Sequence, residues 1–255
     1  MKESSTSKTK KTKKIEKSNK KVMKKLADAA FKEVEKAASK LEEKPTKKVT
    51  LGIVIPYYKN SEQCEISFKR LMNDLNQQLN DDMILCVYED GQCSDWLKEY
   101  DKPNIKRISN EKNKGVSHAR NVCIDYLIDK VDYILFIDSD DVVENNYLPK
   151  MWEYCADNSH EIIESSFLVN GQLSAYLPNV IRNGAAGSAI QTKIIGDKRF
   201  DEKLQIAEDT DFMYKVCDLT KYRKKHAPTQ YIYQLGANEN SLTMRFQRQE
   251  IRKER

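Results

Sequence analysis

The stretch Tyr133-Ile134-Leu135-Phe136-Ile137-Asp138-Ser139-Asp140-Asp141 decides the fold, because an apolar run stops abruptly at three carboxylates. The apolar part is typical of a strand buried on both faces, and such strands belong to sheets covered by helices. Ligands commonly bind just beyond the carboxyl ends of such strands. Carboxylates concentrated there repel each other unless a cation joins them, and Mg²⁺ or Mn²⁺ prefers oxygen ligands. The stretch therefore indicates a metal–phosphate site, with a polar turn that caps the next helix as the alternative.

Strands and helices alternate along the chain from Val49 onward. The predicted strands cover residues 49–55, 83–88, 105–108, 132–137, 162–169 and 190–195. The predicted helices cover residues 61–79, 116–128 and 208–219, and a further helix begins near Glu144 with Pro149 in its first turn. This alternation favours an α/β fold with a doubly wound, mostly parallel sheet flanked by helices.

The composition is that of one ordinary domain plus an appendage, with 255 residues of which 39% are hydrophobic and 33% charged. No apolar run approaches the roughly 18 residues of a transmembrane helix, and the first residues show no apolar secretory signal. None of the six cysteines forms a C-x-x-C pair, which argues against a zinc site and a disulfide scaffold. The sequence therefore predicts a cytoplasmic protein, with peripheral attachment to a membrane as an additional option.

The N-terminal part differs in texture from the rest of the chain. Residues 1–21 carry eight lysines between positions 8 and 21 and little to bury, which predicts a disordered tail. The tail has three interpretations: a solvated extension, an arm for an anionic membrane surface, or an arm for nucleic-acid phosphate. Residues 22–48 predict an amphipathic helix and a linker, with an apolar seam that offers a homo-oligomer contact through residues 22–44. Residues 49–255 then form the main domain.

Four polar loops follow the predicted strands and should converge on one crevice. They span residues 56–60, 89–95, 113–115 and 138–141. Gly115 lets backbone approach a ligand closely. Acidic residues for a base or ribose, basic groups for phosphate and a metal cluster together predict a nucleotide-diphosphate site.

These segments resemble family 2 glycosyltransferases of the GT-A fold. The matching stretches are Ile53-Val54-Ile55-Pro56-Tyr57-Tyr58-Lys59-Asn60, Glu89-Asp90-Gly91, Asn113-Lys114-Gly115-Val116-Ser117-His118-Ala119-Arg120-Asn121, Phe136-Ile137-Asp138-Ser139-Asp140-Asp141 and Glu208-Asp209-Thr210-Asp211-Phe212. All five occur in the family's order, over roughly residues 49–245. One departure concerns Glu89-Asp90-Gly91-Gln92, where the family usually has two aspartates followed by Gly-Ser.

The resemblance implies a donor site and a divalent metal, Mn²⁺ or Mg²⁺. The base would lie against Pro56 and Tyr58, and Glu89 or Asp90 would contact the base or ribose. The remaining donor-binding residues implied by the match are Lys114, Gly115, Arg120, Asp138 and Ser139. The implied metal ligands are Asp140 and Asp138, with His226 of a late loop as a candidate third ligand.

The acidic pair Glu208-Asp209 opens a predicted helix and supplies the remaining chemical requirement. An acceptor hydroxyl must lose its proton, and a nearby carboxylate contributes typically about 10²–10⁴-fold as a general base. The resemblance assigns this role to Asp209, with Glu208 as the supporting acid. The structural alternative is a helix start at which acids favour the macrodipole.

The resemblance implies an inverting, metal-dependent transfer of a sugar from a nucleotide-sugar, with a UDP-sugar preferred, to an acceptor hydroxyl. The acceptor hypotheses are a cell-surface glycan and a hydroxymethylated nucleic-acid base. Two alternatives stay open, a catalytically silent nucleotide-sugar-binding or scaffold protein and a nucleotidyltransferase.

Overall fold

The computed structural model describes residues 48–91, 93–169, 171–182 and 184–234. The predictions for the tail at residues 1–21, and for the helix at 22–44 with its oligomer contact, lie outside the described residues. Nine strands of the described part form a single mixed sheet. The strands are β1 (Leu51–Tyr57), β2 (Met83–Glu89), β3 (Ile105–Ser109), β4 (Tyr133–Phe136), β5 (Val142–Val143), β6 (Ile162–Val169), β7 (Gln172–Leu173), β8 (Ser188–Gln191) and β9 (Lys224–Tyr233).

Helices cover both faces of this sheet. The α-helices are α1 (Glu62–Gln78), α2 (Val116–Leu127), α3 (Tyr147–Ala156), α4 (Thr192–Ile195) and α5 (Glu208–Val216), and Asp95–Tyr100 forms a 3₁₀-helix. Because successive side chains of a strand point to opposite faces, Ile53 and Ile55 join one buried cluster with α1 and α3. Val54, between them, joins a second cluster with α2 and α5. The predicted α/β sheet flanked by helices is thus confirmed.

The strand order is β3-β2-β1-β4-β8-β6-β9-β5, with β7 paired to β6. Strands β3, β2, β1 and β4 run parallel to one another. Antiparallel β8 then joins β4 to β6, and β6 pairs in parallel with β9. The carboxyl ends of β1, β2 and β4 therefore meet at one edge, where the sequence placed its polar loops.

Two of the differences between predicted and observed bounds have a clear cause in the backbone hydrogen bonds. The strand expected over residues 190–195 ends at Gln191, because the Thr192 N–H donates to the Asp132 carbonyl and the chain turns into α4. The helix expected near Glu144 begins only at Tyr147, since the Glu144 N–H instead donates to the Gln230 carbonyl. Among the described helices, none is both long and apolar enough to cross a bilayer.

Candidate active site

A cavity of about 860 Å³ opens at the carboxyl ends of β1, β2 and β4. Ten of the residues that the sequence singled out line this cavity. They are Pro56, Tyr58, Asp90, Gly115, Arg120, Asp138, Ser139, Asp140, Glu208 and Asp209. Segments separated by more than 150 positions in the chain therefore contribute to one space.

Asp90 shapes one side of the cavity through its contacts with backbone N–H groups. Its two carboxylate oxygens accept hydrogen bonds from the Lys114 and Gly115 N–H groups, each at 2.8 Å. Gly115 has φ +96°, a conformation that favours glycine, and α2 begins at the next residue. Lys114 contributes its backbone N–H to this contact, and its side chain is not part of the cavity wall.

Glu89, the alternative to Asp90, lies outside the cavity wall. Its side chain is 1% exposed and forms an ion pair with Arg107 at 3.0 Å. It also accepts a hydrogen bond from the Ser94 N–H. Of the two acids proposed for the base or ribose, the structure therefore brings only Asp90 to the cavity, and Glu89 braces the loop that follows β2.

The acidic loop after β4 divides its three carboxylates between the cavity and the interior. Asp138 and Asp140 line the cavity, whereas Asp141 is 1% exposed. The Tyr231 hydroxyl donates to Asp141 at 2.6 Å and accepts the Asp138 N–H at 2.9 Å. Burial raises the pKa of Asp141, and the charges of Asp138 and Asp140 add to the rise. Asp141 therefore supports the loop from behind.

Arg120 joins this loop to the second acidic pair. Its guanidinium donates to Asp138 at 2.8 Å, to Asp209 at 2.5 Å and to Glu208 at 3.2 Å. Burial opposes the charge of Arg120, but the carboxylates of Asp209, Asp138 and Glu208 outweigh it and raise its pKa. The arginine thus stays charged and fixes three acids from two distant segments.

Asp209 lines the cavity and has a raised pKa. Burial raises its pKa to about 6, the charge of Arg120 opposes this rise, and the charges of Asp138 and Glu208 reinforce it. The acid lies on the first turn of α5, which follows Ala207 at φ +60°. A carboxylate whose pKa lies near the working pH is well suited to accept a proton.

His226 is not brought to the carboxylates. It stacks on Tyr176, with 4.7 Å between ring centroids, and its Nε2 lies 2.9 Å from the Ser166 hydroxyl. Both contacts belong to a separate cavity of about 140 Å³. Residues 224–233 form one strand beside β6, in which His226 is the register partner of Glu164. The structure therefore places His226 in the small cavity and does not bring it to Asp138 and Asp140.

The sequence did not identify one wall of the large cavity. This wall comes from the strands beyond β4 and the loop between β7 and β8, and its residues are Phe167, Val169, Ser174, Arg182, Gly184, Ala186 and Tyr233. The strand over 162–169 was predicted, but which of its side chains face the cavity depends on its pairing with β9. A register shift between Ser165 and Ser166 changes that pairing, and the local sequence carries no signal for it.

The side chains of the acidic loop offer ligand atoms that fit a divalent metal. Asp138 and Asp140 offer only oxygen ligands, and Mg²⁺ typically takes one or two carboxylates and completes its shell with water and substrate phosphates. Within the described ranges no group of three or more His, Cys, Asp and Glu side chains is arranged to hold an ion. A metal here would therefore share its ligands between this loop and the donor diphosphate.

The combination of fold and site is that of an α/β group-transfer enzyme. The family model for glycosyl transferase family 2 matches residues 52–236, so the chain belongs to this family. Its fold matches the crystal structure of Staphylococcus aureus TarS residues 1–349 with a TM-score of 0.59 at 20% identity, over 72% of this chain and 60% of that one. The same TarS fragment in complex with UDP-GlcNAc also matches with a TM-score of 0.59. The chain therefore has a TarS-like GT-A fold.

Curated relatives match over shorter stretches. The minor teichoic acid biosynthesis protein GgaA of Bacillus subtilis is 26% identical over 116 residues, which is 43% of this chain and 25% of GgaA. The poly(ribitol-phosphate) beta-N-acetylglucosaminyltransferase TarP of Staphylococcus aureus is 24% identical over 126 residues, which is 48% of this chain and 38% of TarP. The matches therefore span well under half the length of these relatives.

Proposed function

We propose that this domain transfers a sugar from a UDP-sugar to a hydroxyl of a cell-surface polymer, with inversion at the anomeric carbon. UDP-N-acetylglucosamine is the first donor to test, because a TarS structure that matches this fold contains it. The observation that carries the proposal is the guanidinium of Arg120, which ties Asp138 of the acidic loop to Asp209 inside one cavity. Donor-side carboxylates and a base thereby face a common space.

The residues of this chain suit a single displacement. Asp209 takes the proton of the acceptor hydroxyl, and the acceptor oxygen forms a bond to the anomeric carbon. The bond between that carbon and the diphosphate breaks at the same centre, and UDP leaves with the electron pair. Arg120 keeps Asp209 oriented and Asp138 on the cavity wall. A divalent cation held by Asp138 and Asp140 would neutralise charge on the leaving diphosphate.

A panel of nucleotide-sugars tests the donor assignment. A ligand that binds only the folded state raises its stability by about 2.7 kcal/mol at one hundred times its Kd. We expect a UDP-sugar with Mn²⁺ to raise the melting temperature and to release UDP in the presence of an acceptor. Binding without release of any nucleoside diphosphate would instead support the scaffold alternative.

The metal role is tested with Asp140→Asn. We expect this variant to lose Mn²⁺-dependent turnover while melting near the wild-type temperature, because the change keeps the shape and removes a negative oxygen ligand. Asp129→Asn, at an exposed site after α2, is the matched control and should keep full activity. Near-wild-type turnover of Asp140→Asn at limiting Mn²⁺ would show that Asp140 does not hold the metal.

A further inference from the structure

A second arginine, Arg182, lies on the cavity wall that the donor-site residues do not account for. Pro56 lies near the end of β1 and Asp90 follows β2, whereas Phe167 and Tyr233 belong to β6 and β9 on the far side of β4. Arg182 lines the cavity on this far side. It is therefore placed away from the residues that would hold the base.

Two backbone carbonyls and an aromatic ring hold the Arg182 guanidinium in place. Its Nη1 donates to the Ala186 carbonyl at 3.2 Å, and its Nη2 donates to the Ser165 carbonyl at 2.5 Å. The same group lies 5.0 Å from the centroid of the Phe167 ring. A β-carbon on Gly187, which has φ +74°, would come within 3.0 Å of Nη1 and 2.8 Å of the Ser165 hydroxyl oxygen. Glycine at this position thus leaves the space that the guanidinium fills.

Arg120 and Arg182, the arginines that line the cavity within the described ranges, differ in how their charge is balanced. Three carboxylates surround Arg120. The contacts of Arg182 with the described residues are carbonyls and an aromatic face, and no ion pair of these residues includes it. Glu164, its charged neighbour in the small cavity, is instead paired with Lys224 at 3.0 Å. The Arg182 guanidinium is therefore a pre-oriented positive charge with which an anionic ligand can form an ion pair.

The position of Arg182 relates this charge to the acceptor. Gly184, two residues along the chain, lines the same cavity, and a β-carbon built on it would lie 3.9 Å from Asp209 Oδ2. The acceptor hydroxyl must reach Asp209, so the rest of the acceptor lies along the adjoining wall. Phe167 and Tyr233, stacked with 5.9 Å between centroids, give that wall an apolar surface.

We propose that Arg182 determines acceptor specificity by binding a phosphate of a polyol-phosphate polymer one or a few units from the reacting hydroxyl. The proposal rests on the proposed function and names the acceptor class of that site. A guanidinium matches phosphate oxygens with two parallel hydrogen bonds, and a flat aromatic wall suits the carbon backbone of a polyol. The names of the relatives GgaA and TarP refer to teichoic acid and to poly(ribitol-phosphate), which has this chemistry.

The test compares poly(ribitol-phosphate) with neutral ribitol for Arg182→Gln, Arg182→Lys and Arg70→Gln. Arg70 is exposed on α1 and gives the same change of charge outside the cavity. We expect Arg182→Gln to weaken polymer binding and raise the polymer KM about tenfold or more, the size of losing one charged hydrogen bond. Arg182→Lys should retain part of the affinity, and Arg70→Gln all of it. Added salt should weaken wild-type binding to the polymer.

The readouts separate the possible failures. Polymer binding is measured without donor, and UDP binding is measured without polymer, so an inactive donor does not affect the first result. Equal loss of UDP and polymer affinity in Arg182→Gln would assign Arg182 to the donor phosphate and overturn the proposal. The proposal would also be overturned if Arg182→Gln bound the polymer as tightly as Arg70→Gln does. An equal loss of affinity for the polymer and for ribitol in Arg182→Gln would overturn it as well. Wild-type protein that binds the polymer but no UDP-sugar would refute the proposed function alone.

Discussion

At the scale of single residues, the site depends on one guanidinium shared by three carboxylates. Arg120 is 3% exposed, so its charge can be retained only because Asp138, Glu208 and Asp209 compensate for the lost hydration. Burial also raises the pKa of Asp209 to about 6. The same group of charges that holds the arginine therefore also affects the pKa of the proposed base.

Asp209→Asn tests this role with little change of shape. Transfer should fall by about 10²-fold or more, because the amide cannot accept the proton, while donor affinity stays close to wild type. Asp211→Asn is the matched control, as Asp211 lies on the same first turn of α5 and pairs with Lys215. If both variants lose activity equally, the acids serve only the helix start. A product that keeps the donor's anomeric configuration would contradict a single displacement.

The pH profile of kcat/KM gives a second test of Asp209. The acid accepts a proton only when ionised, so the rate should fall as pH decreases through about 6 and level off above it. The raised pKa places this limb about two units above that of an ordinary aspartate. The limb should be absent from the residual activity of Asp209→Asn. Persistence of the same limb in that variant would assign it to another group.

At the scale of elements, β9 supports the acidic loop that follows β4. Tyr231 of β9 holds both the Asp138 N–H and the Asp141 carboxylate through one hydroxyl. Asp141 also accepts the Gln234 N–H at 3.0 Å. Contacts from β9 therefore hold the loop on its buried side, although β9 lies about 90 residues further along the chain.

Tyr231→Phe removes this hydroxyl and keeps the ring. We expect the free energy of unfolding to fall by about 1–3 kcal/mol, because the buried Asp141 loses a donor. For a domain of this size each kcal/mol lowers the melting temperature by roughly 2–4 °C. The Mn²⁺ concentration for half-maximal turnover should also rise several-fold, since the Asp138 backbone loses its partner.

The control is Tyr100→Phe, in which a hydroxyl that donates to Asn73 at 2.6 Å is lost away from the cavity. This variant should melt earlier but show the wild-type Mn²⁺ requirement. An unchanged Mn²⁺ requirement in Tyr231→Phe would limit the tyrosine to a role in stability.

The sequence predicted the parallel half of this fold better than the mixed half. Strands β1, β2 and β4 are short buried runs that end in polar loops, and each such run can be recognised locally. The position of Arg182 depends on the pairing of β6 with β8 and β9 and on the turn at Gly187, which no local pattern encodes. The position of His226 could not be predicted for the same reason, because its strand partner determines the cavity that it lines.

At the scale of the whole molecule, the two halves of the sheet carry the residues proposed for the donor and for the acceptor, respectively. The parallel strands carry the donor-side residues, and β6, β9 and the loop before β8 carry the wall with Arg182. Asp209 on α5 faces the cavity that both halves enclose. If the proposed roles hold, a change of acceptor would alter the mixed half and leave the parallel strands unchanged.

At this scale we also expect the domain to fold and to bind its donor without residues 1–44. The buried core of the described part begins at Val49 and includes residues from every longer strand and helix. Deleting residues 1–44 should therefore leave a folded protein with wild-type donor affinity. Because eight lysines lie between positions 8 and 21, the full-length chain should bind anionic vesicles or duplex DNA at low salt and release them at a few hundred millimolar.

Deleting residues 1–21 alone is the matched control, because it removes these lysines and keeps the apolar seam. This shorter deletion should abolish the salt-sensitive binding without changing the sedimentation coefficient more than its mass requires. If the seam pairs with a copy of itself, only the deletion of 1–44 should give a smaller species. Loss of donor binding in the longer deletion would show that the segment belongs to the catalytic fold, because the core from Val49 onward would then be insufficient by itself.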